Sequence, residues 1–486
     1  SYGPYRQSER REIYHCFAKK LVEHGLAYPC FCTEEELRSL RERQESQKLT
    51  PGYYGEFALC RNLQAEEAIG KINAGSPYVV RLRSPGRLEK KVIFEDGIKG
   101  KIEMPENTAD IVLLKTDGIP TYHFAHAVDD HLMRTTHVIR GDEWISSVPV
   151  HLQLFSVLGF KSPKYAHISP LMKEENDGIQ SDSKPGGSRE QKTRPNSHSA
   201  AGVKKRKLSK RKDPEAAVKY YAEQGFSAET VTEYLLTVAN SGFEDWRRQN
   251  PLEPLENYPF ALKKMSVSGA LFDLDKLNDV GKTVISRRSA QEVTAGVLAW
   301  ANQYDPEFFA LLDRDREYAQ SIFAIDRGGA KPRKDLAKYS DSRQFSAYFF
   351  DELWGGEYDW DEKISREKRA DILRKYTEIY NPEDNREAWF AKIKELCPQL
   401  GFCPDVKQYK ENPEGFAGHV GDLTTVIRVA VTGRRNTPDL CEIMRLLGKD
   451  RVNIRLAKAQ NPYGQVSCPI TAPAKVNKCK QLRIES

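Results

Sequence analysis

No stretch of this 486-residue chain comes near the roughly 18 consecutive apolar residues that a bilayer-spanning helix needs, which excludes an integral helical membrane protein. The opening Ser1-Tyr2-Gly3-Pro4-Tyr5-Arg6 has neither a basic n-region nor an apolar h-region, so nothing marks the chain for secretion. It also lacks an initiator Met, which suggests a fragment or a processed product. Cysteine is sparse: nine residues, odd in number and irregularly spaced, do not make the disulfide framework of a small secreted domain. A reducing, cytoplasmic compartment is expected instead. Charge of one sign is not in large excess either, and a net +6 at this size does not by itself argue for a nucleic-acid partner. What is present is 39% hydrophobic and 30% charged residues over a length that favours about three or four folded units. A soluble multidomain protein is expected.

Along the chain, Ile13, Phe17 and Leu21 recur at four-residue spacing, which predicts an amphipathic helix over 8–22. Thr33-Glu34-Glu35-Glu36 has the spacing of a capping box and predicts a helix to about Gln44. From Tyr78 to His137 the texture is of short β-rich runs, at 78–82, 111–114 and 136–139, separated by Gly and Asp turns. Helix over 143–158 and strand over 165–172 then predict a strand–helix–strand crossover. Residues 174–203 carry almost no large apolar side chain, and a flexible insertion is expected there. Asp213-Pro214 signals a helix start and Gly225 a stop, and further helices are predicted at 229–238, 290–300, 368–380 and 440–447. From Gln460 onward periodicity is lost, so 459–486 is expected to be a disordered tail.

Seven of the nine residues Lys204 to Lys212 are Lys or Arg, around the core Lys207-Leu208-Ser209-Lys210-Arg211. Such density repels itself and needs water or a polyanion beside it. A solvated loop or a nuclear address would also have this composition. A second constellation runs Gly118-Ile119-Pro120-Thr121-Tyr122-His123-Phe124-Ala125-His126-Ala127-Val128-Asp129-Asp130-His131, followed by Val138-Ile139-Arg140-Gly141-Asp142-Glu143-Trp144. Any one of these residues alone has an ordinary structural use. Together, in this order, they closely resemble the amino-acid pocket and second Rossmann half of bacterial-type glutamyl-tRNA synthetases, and Lys207 to Arg211 resembles the Lys-Met-Ser-Lys-Ser loop of class I aminoacyl-tRNA synthetases. The opening 3–10, the segment 267–277 and the segments 431–433 and 446–449 are similar to the same family, so that the resemblance spans about residues 2 to 457.

The resemblance implies roles. Lys207, Ser209 and Lys210 are the catalytic loop residues, with Lys210 meeting the charge that develops on departing pyrophosphate. Lys210 and Glu143 face ATP, which Mg2+ accompanies. Arg140 offers a planar fork to the side-chain carboxylate of L-glutamate, and Tyr122, His126 and Trp144 line the pocket. His126 stands where some family members place Asn. Cys30 and Cys32, two apart on an extended chain, have both sulfurs on one side, and with Cys60 they can share a metal. Some members of the family hold Zn2+ in this place. Tetrahedral zinc needs a fourth ligand, no His follows Cys60 closely, and Tyr54 is the candidate. Reduced thiols packed in a small domain are the alternative.

The implied fold is multidomain α/β followed by all-α. Residues 1–27 are the remainder of a first Rossmann half, 28–127 an acceptor-stem-binding α+β insertion, and 128–173 the second Rossmann half. Residues 204–288 carry the lysine loop and a stem-contact domain, and 289–458 are helical anticodon-binding domains. The implied activity is ATP-dependent formation of glutamyl-adenylate and transfer to the 3′ end of tRNA(Glu), with tRNA(Gln) open as a second acceptor, by a cytoplasmic monomer with no membrane contact. The family's His-Ile-Gly-His signature, which binds phosphates at a helix N-terminus, has no counterpart among the ten histidines, because the chain begins beyond its place. The alternative expectation is therefore an inactive tRNA-binding fragment.

Overall fold

The computed structural model describes residues 2–175, 204–329 and 332–460. The insertion expected at 174–203 and the tail expected at 459–486 lie outside the described residues apart from their flanks. The chain divides into two compact units, residues 1–216 with 233–273, and residues 217–232 with 274–486.

The first unit opens with α1 (Arg11–Glu23), β1 (Ala27–Cys30), α2 (Glu34–Ser46) and α3 (Ala65–Asn73), followed by β2 (Val79–Leu82), β3 (Lys91–Asp96), β4 (Gly100–Pro105) and β5 (Val112–Leu114). It continues through α4 (Tyr122–Leu132), β6 (His137–Gly141), α5 (Val148–Val157), β7 (Lys164–Ile168), β8 (Met172–Glu175) and β9 (Lys204–Lys207). The capping box at Thr33 forms as its spacing predicts, with Thr33 Oγ1 accepting from Glu36 N–H while the Glu36 carboxylate accepts from Thr33 N–H. Three sheets result, in the orders β1-β2-β5, β4-β3-β7-β6 and β8-β9. β6 and β7 are parallel with α5 between them, which is the expected crossover. The four-stranded sheet takes β3 and β4 from the segment 28–127 and β6 and β7 from 128–173, so one sheet joins both.

Several elements differ from the reading of the sequence. Residues 122–132, inside the stretch read as strands, form α4. Phe124, Val128 and the partly buried Leu132 repeat every four residues, and they pack with Tyr14, Leu113, Leu154 and Phe155 in one core. The helix predicted from Glu143 begins as a 3₁₀ segment, Asp142–Ser147, and becomes α-helical only at Val148. The strand predicted over 165–172 breaks into β7 and β8 around Pro170, which has no N–H to give a ladder.

The described elements of the second unit are all helical. At the end of the first unit's opening segment Asp213-Pro214 starts only a 3₁₀ turn, Pro214–Ala216, and the α-helix proper, Val218–Gln224, belongs to the second unit and stops at Gly225 with φ +82°. Helices Ala290–Tyr304, Arg366–Ile379 and Leu440–Leu447 form where apolar periodicity places them. Their buried faces share one core that includes Val297, Phe308, Ile372, Ile427, Met444 and Leu456. Among the described residues no helix is long and apolar enough to cross a membrane.

Candidate active site

Arg140 on β6 and His167 on β7 are direct register partners in the parallel ladder, which puts their side chains on one face of the sheet. Asp96, at the end of β3, pairs with Tyr165 and so lies beside the same face. A polar chain results. Arg140 Nε donates to His167 Nε2 at 3.1 Å, and His167 Nδ1 donates to Asp96 Oδ2 at 2.6 Å. Arg140 Nη2 donates to His151 Nδ1 at 3.2 Å and to the Trp144 carbonyl at 3.4 Å. Because a guanidinium only donates, both imidazoles must accept from it, which fixes their tautomers. His151 therefore donates from Nε2 to His123 Nδ1 at 2.9 Å. Arg140 Nη1 is buried and has no hydrogen-bond partner among the described residues.

Burial governs the charge of this group. Desolvation, reinforced by the nearby His126 and Arg140, pushes His151 down to about 2, and the same causes lower His123. Burial also lowers His167, outweighing the opposing influence of Asp96. Burial alone would raise the Asp96 carboxyl, yet hydrogen bonds from Lys99 N–H, His167 and Ile98 N–H bring it below the ordinary carboxylate range. The histidines are thus neutral at ordinary pH, and Arg140 carries the positive charge of the pocket floor.

Helix α4 supplies the wall. Tyr122, His126 and Asp130 fall on one stripe at four-residue spacing. His126 donates from Nδ1 to Asp130 at 2.7 Å, and its Nε2 accepts from the Tyr165 hydroxyl at 3.1 Å. Tyr122 stacks parallel to His126 and lies 4.7 Å, centroid to centroid, from Trp144. Tyr122 is about half exposed at 49% while His126 is buried, and the half-buried Arg140 guanidinium lies over the Trp144 ring. Asp129 turns inward instead, accepting from Arg10 Nε at 2.9 Å and from Tyr14 hydroxyl at 2.7 Å, and ties α4 to the start of α1.

The lysine loop begins as a strand. Lys207 is the last residue of β9, paired with Met172, and Lys207 Nζ lies 3.3 Å from Glu143 Oε1 on the 3₁₀ segment that follows Arg140. Residues 208–212 then turn back on themselves, with Lys212 N–H and Asp213 N–H both donating to the Ser209 carbonyl. Asp213 anchors the turn: it accepts two hydrogen bonds from Arg206, at 2.6 and 2.7 Å, and one from Ser209 N–H at 2.9 Å. Those contacts hold its carboxyl well below the ordinary range. Lys210, at the tip of the turn, is exposed.

Cys30, Cys32 and Cys60 come together with their sulfurs within 4.8 Å of one another. Cys32 Sγ and Cys60 Sγ are 3.7 Å apart, close to the edge of about 3.8 Å that a tetrahedron with 2.3 Å Zn–S bonds requires. The phenol that lies beside these sulfurs is that of Tyr53 rather than Tyr54. The Tyr53 hydroxyl lies 3.4 Å from Cys30 Sγ and 3.2 Å from Cys32 Sγ, and it accepts from Cys60 N–H. The Tyr54 hydroxyl donates to the Thr50 carbonyl instead, so the expectation for Tyr54 is corrected. Hydrogen bonds from Cys32 and Cys60 lower the Cys30 thiol.

Comparison with known proteins bears on this arrangement. A family described as tRNA synthetases class I (E and Q), catalytic domain, matches residues 1–182, and an anticodon binding domain matches residues 411–460. A glutamate–tRNA ligase of Clostridium perfringens (strain SM101 / Type A) is 48% identical over 462 residues, which cover 94% of this chain and 79% of that protein. The chain belongs to the glutamate–tRNA ligase family. A second member, from Sorangium cellulosum (strain So ce56), is 46% identical over 94% of this chain and 78% of its own length. A crystal structure of a glutamate tRNA ligase from Elizabethkingia meningosepticum CCUG26117, in complex with its amino acid, superposes with a TM-score of 0.67 at 25% identity, covering 95% of this chain and 84% of that one. The family consists of aminoacyl-tRNA synthetases, ligases for which ATP is a substrate, and nothing in these likenesses favours an inactive tRNA-binding fragment.

Of the residues singled out from the glutamate–tRNA ligase resemblance, Tyr122, His126, Arg140 and Trp144 come together, and Glu143 meets Lys207. The reading of the sequence missed Asp96, His151, Tyr165 and His167. A hint was present: His167 interrupts the apolar run of a predicted strand, where a polar side chain needs a partner.

Proposed function

We propose that this chain activates glutamate with ATP and loads it onto tRNA through the pocket built on Arg140. The observation that carries the reading is Arg140 Nη1, a buried cationic donor without a partner beside the Tyr122–Trp144 pair. An unsatisfied buried donor of this kind is matched by a carboxylate, and a charge-assisted bond to it is worth roughly 1.5–3 kcal/mol. A glutamate side chain meets that need, whereas an amide puts less charge on the accepting oxygen.

In the first step an α-carboxylate oxygen attacks the α-phosphorus of ATP and pyrophosphate leaves. In the second a hydroxyl of the terminal adenosine of tRNA attacks the activated carbonyl and AMP leaves. Lys207, Ser209 and Lys210 act on the triphosphate, Lys210 as the exposed ammonium that follows charge onto the leaving group. Glu143 belongs to the ATP side, and its pairing with Lys207 supports that role. Mg2+ travels with the nucleotide. Zn2+ fits Cys30, Cys32, Cys60 and Tyr53, where it would hold β1 to the 53–60 segment without touching substrate.

The division into 1–27, 28–127, 128–173, 204–288 and 289–458 is kept as the functional map, with acceptor-stem, catalytic, stem-contact and anticodon roles. The acceptor is tRNA(Glu), tRNA(Gln) is a candidate second acceptor, and the enzyme works as a monomer in the cytoplasm. Glutamate-dependent exchange of pyrophosphate into ATP tests the reading. It is expected in the wild type and lost on Arg140→Ala, and exchange that does not require glutamate overturns it.

A further inference from the structure

Arg140 does not hold its own orientation. Its Nε can point only where His167 Nε2 accepts, and His167 accepts there only while its proton stays on Nδ1. Asp96 Oδ2 takes that proton's hydrogen bond at 2.6 Å. The carboxylate cannot rotate away, because Asp96 Oδ1 already accepts from Lys99 N–H at 2.9 Å, Ile98 N–H at 3.0 Å and His167 N–H at 3.2 Å. His167 is fully buried and Asp96 is 2% exposed, so water does not compete for either.

We infer that Asp96 and His167 are positioning residues for glutamate selection: the carboxylate locks the imidazole in its accepting tautomer, the imidazole fixes the guanidinium through Nε, and Nη1 alone is left for the substrate carboxylate. The inference rests on the reading of Arg140 as the glutamate-binding group. On the far side His151 holds Nη2 in the same way, donating onward to His123. Every remaining donor of Arg140 is thereby spoken for, and a glutamine amide can offer Nη1 only its neutral carbonyl oxygen, while its NH2 half finds no acceptor on the guanidinium. The negative charge of Asp96 also stands one imidazole away from the guanidinium, which lets a cation sit in a half-buried floor before substrate arrives.

Asp96→Asn is the informative substitution. Its amide oxygen can keep the three backbone bonds, while its NH2 donates to His167 Nδ1 and drives the ring proton to Nε2, where it opposes Arg140 Nε–H. The shape is kept and the tautomer is inverted. In pyrophosphate exchange by the full chain, Asp96→Asn and His167→Phe are expected to raise KM for glutamate about tenfold or more, with KM for ATP unchanged. His167→Gln, which restores an accepting oxygen, is expected to recover most of the loss. A purely structural tie between β3 and β7 would instead lower kcat or soluble yield without separating the two KM values. If glutamate KM is unchanged in Asp96→Asn, or His167→Gln behaves like His167→Phe, the inference is overturned. Should Asp96→Asn fail to fold, the two His167 variants decide alone. Arg140→Ala separates the layers: unchanged glutamate KM there removes the reading of the pocket, whereas a raised KM in Arg140→Ala with a normal Asp96→Asn removes only the positioning role.

Discussion

Lys207 Nζ lies 3.3 Å from Glu143 Oε1, which joins the end of the lysine-loop strand to the turn that carries Trp144. Both side chains are more than half exposed, so the pair contributes at most about 1 kcal/mol to stability. Its consequence is spatial: the loop leaves β9 beside the segment that follows Arg140. Lys210, three residues further, is exposed and its ammonium is available to a polyphosphate. Lys210→Ala is expected to lower kcat for pyrophosphate exchange by about 10²–10³ while leaving the thermal midpoint and the glutamate KM unchanged. A loss confined to glutamate KM would assign the loop to amino-acid binding instead.

The sulfur cluster makes a separate prediction about which tyrosine matters. The Tyr53 hydroxyl lies beside Cys30 and Cys32, whereas the Tyr54 hydroxyl donates to the Thr50 carbonyl. Purified without chelator, the wild type and Tyr54→Phe are expected to retain about one zinc per chain by elemental analysis, and Cys32→Ser to lose it. Tyr53→Phe should bind more weakly, giving up its metal to a chelator at lower concentration. Equal retention in Tyr53→Phe and the wild type would show that the phenol is not a ligand.

How much of this was legible follows from the kind of signal involved. Helix periodicity and caps are local, so Thr33, the helix at 290–304 and the helix at 440–447 were readable from neighbouring residues. Helix α4 was not, because it follows short β-rich runs and its Tyr122, Phe124 and Val128 have strand propensity, and tertiary packing against Tyr14 and Phe155 decides the outcome. Arg140 and Tyr122 were found by motif, yet the register that sets Arg140 against His167 is a long-range fact that no local pattern encodes. The choice between Tyr53 and Tyr54 turned on which hydroxyl the irregular segment before Gly55 brings to the sulfurs, and spacing alone left it open.

The lowered histidines predict a pH dependence of stability. An unfolded histidine takes up a proton near pH 6.5, whereas His151 in the folded protein refuses it down to about 2. Below pH 6.5 the unfolded chain therefore binds more protons than the native one, and stability falls as the pH drops, by up to about 1.4 kcal/mol per pH unit for each such histidine. His123 and His167 are shifted in the same direction and add to the slope. Urea unfolding of the wild type is expected to lose stability steadily from pH 6.5 to 4.5, a window above the range in which Asp96 titrates. His151→Gln, neutral in both states, is expected to have a shallower slope. An identical slope in the variant would mean that His151 is protonated in the native protein.

Two glycines in helices predict opposite responses to the same substitution. Gly281 lies buried in the helix Leu274–Arg287, where an added Cβ would stand 2.1 Å from the Ala337 carbonyl oxygen and 3.3 Å from Thr230 Cγ2. The obstacle is backbone, which a rotamer change cannot clear. Helix propensity alone would favour alanine by about 1 kcal/mol, but forcing apart the helix and the 337 segment costs roughly 1–3 kcal/mol, and the contact wins. Gly70, exposed in α3, has nothing within 4 Å of the same added atom. There the propensity term is unopposed, and Gly70→Ala is expected to stabilise by about 0.5–1 kcal/mol. Chemical unfolding of the two variants, followed by fluorescence, should move the midpoints in opposite directions. A stabilised Gly281→Ala would mean that the chain near Ala337 yields to the helix, and that the close approach there is not required by the fold.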